Sequence, residues 1–225
     1  MSQSEWNNAF PLHFGSDPQG QSSINLATPA NAQRDLFEAF VRERFSAAHG
    51  ARISHFMPEL FGLHTAQDEL TAVCGTRLAQ QEALFLEQYL QQPVEQVIAR
   101  LAERPVERRE IVEVGNLAAS SPGNARLIII AMTCLLARRG LQWVVFTGAA
   151  GLINSFRRLG LAPLRLCEAD PQRLGEQRHA WGQYYEQRPQ VFAGNIQLGY
   201  RQLCEQGVLQ RLGFLLPCAE APHAA

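Results

Sequence analysis

Between Glu113 and Gly148 the chain reads EVGNLAASSPGNARLIIIAMTCLLARRGLQWVVFTG, and no other stretch limits its folding as tightly. "REIVEVGNLAA" has the apolar content of a strand, "LIIIAMTCLLA" that of a buried helix, and "LQWVVFTG" is a continuous apolar run suited to a strand covered on both faces. Strand, helix and strand in that order predict two parallel strands with the helix packed on one face. The turn between the first strand and the helix, Ser120 to Arg126, admits two readings. Bare backbone N–H groups at a helix start make an anion cradle, whereas Ser and Pro there also make an ordinary capped helix.

The flanking sequence extends this unit. In "NAQRDLFEAFVRERFSAAHG" the spacing of Leu36, Phe37, Phe40, Val41 and Phe45 predicts an amphipathic helix stopped by Gly50. "ARISHFMPELFGLH" and "ELTAVCGTRLAQ" predict an antiparallel hairpin, with Pro58 marking an edge or a bend. "EALFLEQYL" and "PVEQVIARLAE" predict short helices, "LINSFRRLGL" a further helix and "APLRLCEAD" a further strand. The expected fold class is α/β (α+β): a mixed sheet flanked by helices, its parallel central strands splaying apart, with a ligand beyond their carboxyl ends. Residues 1–30, rich in Ser, Asn, Gln, Gly and Pro, predict a flexible N-terminal tail; residues 31–206 form a single domain and 207–225 a C-terminal tail.

Composition narrows the function classes. At 225 residues the chain can bury a real core without disulfides or metals. Its 20 basic and 21 acidic residues leave a formal charge of -1, so neither nucleic acid nor an anionic lipid surface is an expected partner. Every basic residue is Arg, which excludes Schiff-base chemistry on a lysine. Cys74, Cys134, Cys167, Cys204 and Cys218 are scattered without C-x-x-C or His at ligand spacing; reduced thiols, no metal site and a cytoplasmic location are expected. The start lacks the pattern of a secretory signal, and the longest apolar run, Leu127 to Ala137, falls short of the roughly 20 residues of a membrane span.

"RISHFMPEL", "CGTRLA", "LFLEQYLQQPVEQVIA", "IVEVGNLAA", "WVVFTG", "NSFRRLGLAPL" and "WGQYYEQRPQVFAGNI" together resemble the thermostable hemolysin family of bacterial proteins over about residues 31–200. More distantly, the order of "GTRL", a helical insertion, "EVGNLA", helix, "VVFTG" and "FRRLGL" resembles GNAT-fold acyltransferases of the acyl-homoserine lactone (autoinducer) synthase type. The second resemblance implies an N-acyltransferase with no tightly bound cofactor. It would move a fatty acyl group from acyl carrier protein or acyl-coenzyme A, through a phosphopantetheine arm, to a small amine or amino-acid-like acceptor. The family name alone implies the alternative, a membrane-active cytolytic protein without enzymatic activity. The chain departs from the GNAT pyrophosphate-loop pattern, keeping Gly123 and Ala125 without its first basic or amide residue, and has Asn116 where the autoinducer synthases carry Arg.

The resemblance implies the following roles, each beside a plainer reading. Arg77 and Glu113 match the hairpin Arg and central-strand Glu of the synthases; Glu113 is then a base, or half of an ion pair with Arg77. Asn116, Leu117 and Ala118 face the thioester carbonyl, or are paired as in any strand. Ser120, Ser121, Gly123, Asn124, Ala125 and Arg126 receive the donor's phosphate or pantetheine, or cap a helix. Tyr184, with Tyr185, protonates the leaving thiol, or packs with Trp181. Asn154 approaches the donor arm, or caps its helix, and His179 is a base or a surface residue.

Overall fold

The computed structural model describes residues 3–17 and 20–214. In chain order these form α1 (Gln3–Asn8), β1 (Leu12–Phe14), β2 (Ser22–Ala27), α2 (Arg34–His49), β3 (Glu59–His64), β4 (Leu70–Leu78), a 3-10 turn (Phe85–Tyr89) and α3 (Val94–Ala102). They continue with β5 (Ile111–Ala119), α4 (Pro122–Arg138), β6 (Trp143–Gly148), α5 (Ala150–Arg158), β7 (Leu164–Glu168), two 3-10 segments (Pro171–Trp181 and Tyr184–Gln187), β8 (Gln190–Asn195), α6 (Ile196–Glu205) and α7 (Val208–Arg211). The strands make one eight-stranded sheet in the order β1-β2-β3-β4-β5-β6-β8-β7. Among the described strands only β5 and β6 run parallel, joined through α4, which is the arrangement their sequence order predicts.

Helices cover both faces. On one, the apolar side of α4, with Ile128, Ala131, Met132 and Leu135 buried, packs with α6 and the inward residues of β2 to β5. On the other, α2 inserts Phe37 and Val41 against β3 and β4, while α3 and the Phe85–Tyr89 turn cover Ile111, Trp143 and Val145. Because side chains alternate along a strand, Val112 joins the α4 face and Ile111 and Glu113 the other. Among the described residues no helix is long and apolar enough to cross a membrane.

Residues 3–17 and 20–27 are not a tail. Trp6, Phe14 and Ile24 are buried, and β2 pairs with β3 from Ser23↔His64 to Ala27↔Leu60. Polar neighbours hid these short apolar alternations in the sequence; pairing to β3 buries them. The C-terminal boundary moves as well, since Phe214 stacks on Phe14 with ring centroids 4.2 Å apart. Residues 215–225, Cys218 among them, lie outside the described residues. The short helix expected in "EALFLEQYL" is a single 3-10 turn, its first amides captured by Glu113 and Glu87. An ion pair ties the α4 face together: Arg139 Nη1 lies 2.6 Å from Glu59 Oε2, both side chains are about nine-tenths buried, and the guanidinium stacks over Trp6.

Candidate functional site

The parallel pair comes apart where the sequence predicts. β5 and β6 pair from Ile111↔Trp143 to Val114↔Phe146 and no further, although β5 continues to Ala119 and β6 to Gly148. A bulge in β5 drives the separation: Gly75 faces Gly115 and Val73 faces Ala118, so one extra residue is spent between them. Asn116 carries it in a left-handed conformation at φ 51, which Asn tolerates better than most residues. Its side-chain Oδ1 accepts the Met57 N–H at 2.8 Å, strapping the 51–58 segment across the sheet. A side chain on Gly115 would meet only the mobile methyl end of Met57, whereas an added Cβ at Gly75 would lie 2.5 Å from Met57 Cβ, so Gly75 is the glycine that this strap requires.

The separation opens a cavity of about 700 Å3. On the α4 face its walls are apolar: Ile128, Met132, Val144, Phe146, Leu152, Phe156 and Leu161, with Gly199 of α6. On the other face they are aromatic and titratable, comprising Arg44, Phe45, His49, Arg77, Phe85, Tyr89, Glu113, Trp181, Tyr184 and Tyr185. Gly115 to Ala119 line it between the two, so the cavity passes through the sheet. Backbone groups of β5 that β6 would otherwise pair are turned toward it.

Glu113 is 3% exposed and opposite Arg77 in the β4–β5 register. The two form no ion pair. The carboxylate instead accepts the N–H groups of Phe85 at 2.8 Å and Leu86 at 2.9 Å, so it anchors the 3-10 turn. Burial pushes its pKa up to about 7 against the pull of those amides and of Arg77. Each oxygen still has a free lone pair, so the group can both hold the turn and take a proton. Tyr89 and Tyr185 share a short hydroxyl contact beside it. Burial raises the Tyr185 phenol to about 12 and holds those of Tyr89 and Tyr184 above the usual phenol range.

Trp181 is bracketed by rings, with Tyr184 at 5.4 Å, Phe85 at 5.8 Å and Tyr185 at 6.1 Å between centroids. The cluster lines the cavity and is packing and site wall at once. His49, at the end of α2, reaches the same wall, and burial lowers its pKa so that it favours the neutral imidazole. His49, Tyr89 and Met57 went unnoticed in the sequence because local pattern gives no sign that α2, a 3-10 turn and a linker converge there.

The structure thus gathers Arg77, Glu113, Asn116, Leu117, Ala118, Tyr184 and Tyr185 at one cavity. The turn before α4 stands apart from that lining. Ser121 Oγ accepts the Asn124 N–H at 3.1 Å and Asn124 donates to Ser120 Oγ at 2.9 Å, so these residues cap the helix. Gly123 and Ala125 occupy its first turn and Arg126 opens the second. Asn154 sits exposed in the second turn of α5, whose N-cap is Ala149, and so neither caps the helix nor lines the cavity; the neighbouring Gly151 and Leu152 do line it. His179 is an exposed residue 3.9 Å from Glu176, away from the cavity.

A family model described as thermostable hemolysin matches residues 27–200. Among solved structures, FeeM, an N-acyl amino acid synthase from uncultured soil microbes, is similar with 14% identity and a TM-score of 0.58, covering 83% of this chain and 98% of that one. The AHL synthase LasI is similar at 8% identity and a TM-score of 0.54, covering 79% and 91%. MesI, a CoA-dependent acyl-homoserine lactone synthase, has 14% identity and a TM-score of 0.50, covering 81% and 94%. At such identities the likeness is one of fold. No curated protein matches the chain.

Proposed function

The chain belongs to the thermostable hemolysin family, and from that premise we propose that it is an N-acyltransferase, moving a fatty acyl group from acyl carrier protein or acyl-coenzyme A to a small amine or amino-acid-like acceptor. The observation that carries this reading is the cavity through the splayed β5–β6 pair, apolar on the α4 face and titratable on the other. Its fold likeness to FeeM and MesI, an N-acyl amino acid synthase and a CoA-dependent synthase, supports the same chemistry.

In the proposed reaction the acyl chain lies between α4 and α6 and its thioester carbonyl sits at the bulge. There Asn116, Leu117 and Ala118 offer backbone N–H groups to the developing oxyanion. The acceptor nitrogen attacks the carbonyl carbon and loses a proton to Glu113, whose pKa near 7 suits a base at neutral pH. The carbon–sulfur bond then breaks, and a tyrosine hydroxyl, Tyr184 or the Tyr89–Tyr185 pair, returns a proton to the leaving thiolate. The products are an amide and a free thiol. Ser120, Ser121, Gly123, Asn124, Ala125 and Arg126, at the positive end of the α4 dipole, are the proposed seat of the donor's phosphate.

Lipid extracts from cells expressing the wild type and Glu113→Gln test the proposal by mass spectrometry. A new N-acyl species made by the wild type and depleted at least tenfold in the variant is the expected result. Purified protein that lyses vesicles with no acyl donor present, and cells with no new amide, would establish direct membrane action instead. Surfactant-like products reconcile acyl transfer with the family's name.

A further inference from the structure

Among the described residues, five buried side-chain N or O atoms make no hydrogen bond: Nε of Arg44 and of Arg77, Oγ1 of Thr147, and the indole nitrogens of Trp6 and Trp143. The first three line the cavity. Leaving a donor buried without a partner carries the full penalty of stripping its water, and a charged group carries most.

Arg77 is the most informative. Its side chain is 19% exposed, and the nearest carboxylate oxygen, on Glu82, lies 3.4 Å from Nε without hydrogen-bond alignment. Glu113, its partner in register, directs its oxygens to the Phe85 and Leu86 amides and forms no ion pair with it. Arginines with a structural role in this protein are held differently. Arg139 makes a two-nitrogen pair with Glu59, Arg108 joins Glu87 and Glu95, and Arg34 donates to the Met57 carbonyl. A guanidinium is a rigid fork of donors shaped for a carboxylate; at Arg77, which lines the cavity, Nε has no hydrogen-bond acceptor and the ion pair with half-exposed Glu82 is long at 3.4 Å.

We infer that the acceptor amine bears a carboxylate and that Arg77 binds it. This deepens the acyl-transfer reading and rests on it. Thr147, on β6 across the opening, is placed to add a hydroxyl, and Arg44 of α2 supplies further positive charge to the same face. Phe45, Phe85 and Trp181 wall the remaining space, which suits an acceptor with an apolar side chain. The anion could in chemical terms be the donor's phosphate. Arg77, however, lies on the Glu113 face, and the helix start suited to a phosphate belongs to α4 on the opposite face.

The test uses the full chain, with dodecanoyl-coenzyme A and dodecanoyl acyl carrier protein as donors and matched acceptors: phenylalanine, phenylalanine amide and phenethylamine, and the corresponding leucine set. Mass spectrometry of N-acyl products gives kcat/KM for each. The carboxylates should exceed their neutral partners by tenfold or more. Arg77→Gln should raise the acceptor KM at least tenfold, leave the donor KM unchanged and erase the preference, while Arg77→Lys should restore part of it. Neutral amines acylated as well as the acids would overturn the inference and leave acyl transfer standing, as would an Arg77→Gln effect confined to the donor KM. Failure to acylate any amine with either donor would overturn both. The wild-type comparison needs no variant, so a folding defect in Arg77→Gln does not remove the test.

Discussion

A carboxylate as buried as Glu113 makes the protein's stability sensitive to pH. Its folded pKa of about 7 lies above the ordinary 4.5, so between those values the folded chain keeps a proton that the unfolded chain has released. Stability should therefore fall as pH rises from about 4.5 to 7, by roughly 3 kcal/mol, and level off above. Denaturant unfolding across that range should show the decline in the wild type and a flat profile in Glu113→Gln. The kcat/KM of the wild type should rise through the same pH as the base loses its proton, and this limb should vanish in the variant. Arg139 poses a different case, because its removal leaves Glu59 charged and buried beside Thr76. Arg139→Ala should lower unfolding free energy by about 3–5 kcal/mol in the same experiment. The resemblance to the autoinducer synthases made Glu113 and Arg77 legible in the sequence, and strand alternation set Glu113 on the side opposite Val112 and Val114. Local pattern could not reveal that Glu113 binds the amides of a turn 27 residues upstream, since that contact exists only once the fold has formed.

Among the elements, the sequence disclosed best those whose apolar run is long. The unit β5–α4–β6 was readable because its strands and helix are each nearly continuous in apolar residues, which leaves few alternatives for the chain. β1 and β2 were not, at three and six residues with polar neighbours; their stability comes from β3 and from the α4 face. Removing residues 3–27 should consequently be destructive. Phe14, Ile24 and Leu26 alone represent roughly 1.5–3 kcal/mol of burial each, a large share of a domain's usual 5–15 kcal/mol. Thermal melts of the trimmed chain should show a much lower midpoint or no cooperative transition. Between α4 and α6 the decisive position is Gly199, where an added Cβ would lie 3.3 Å from Leu161 Cδ2 and 3.7 Å from Thr133 Cγ2. Gly199→Val would fill the apolar end of the cavity, and product analysis over donors of increasing chain length should show the longest chains lost first.

At the scale of the whole molecule, one sheet holds two chemically unlike environments together. The α4 face offers hydrocarbon, the Glu113 face offers charge and aromatic rings, and the opening between β5 and β6 connects them. The expected mixed sheet and parallel pair follow from element order, whereas the joining of the two faces depends on a single extra residue at Asn116; Gly115-Asn116 is an unusual pair inside a strand, but its sequence does not tell that a bulge results. Two ligands that approach from opposite sides of such an opening can be present together, since neither has to leave before the other arrives. Steady-state kinetics would register this as initial-velocity lines that intersect when both concentrations are varied, where a covalent relay through the protein would give parallel ones. A single synthetic molecule joining an acyl-pantetheine to an amine would thread both compartments, and its dissociation constant should approach the product of the two halves' constants.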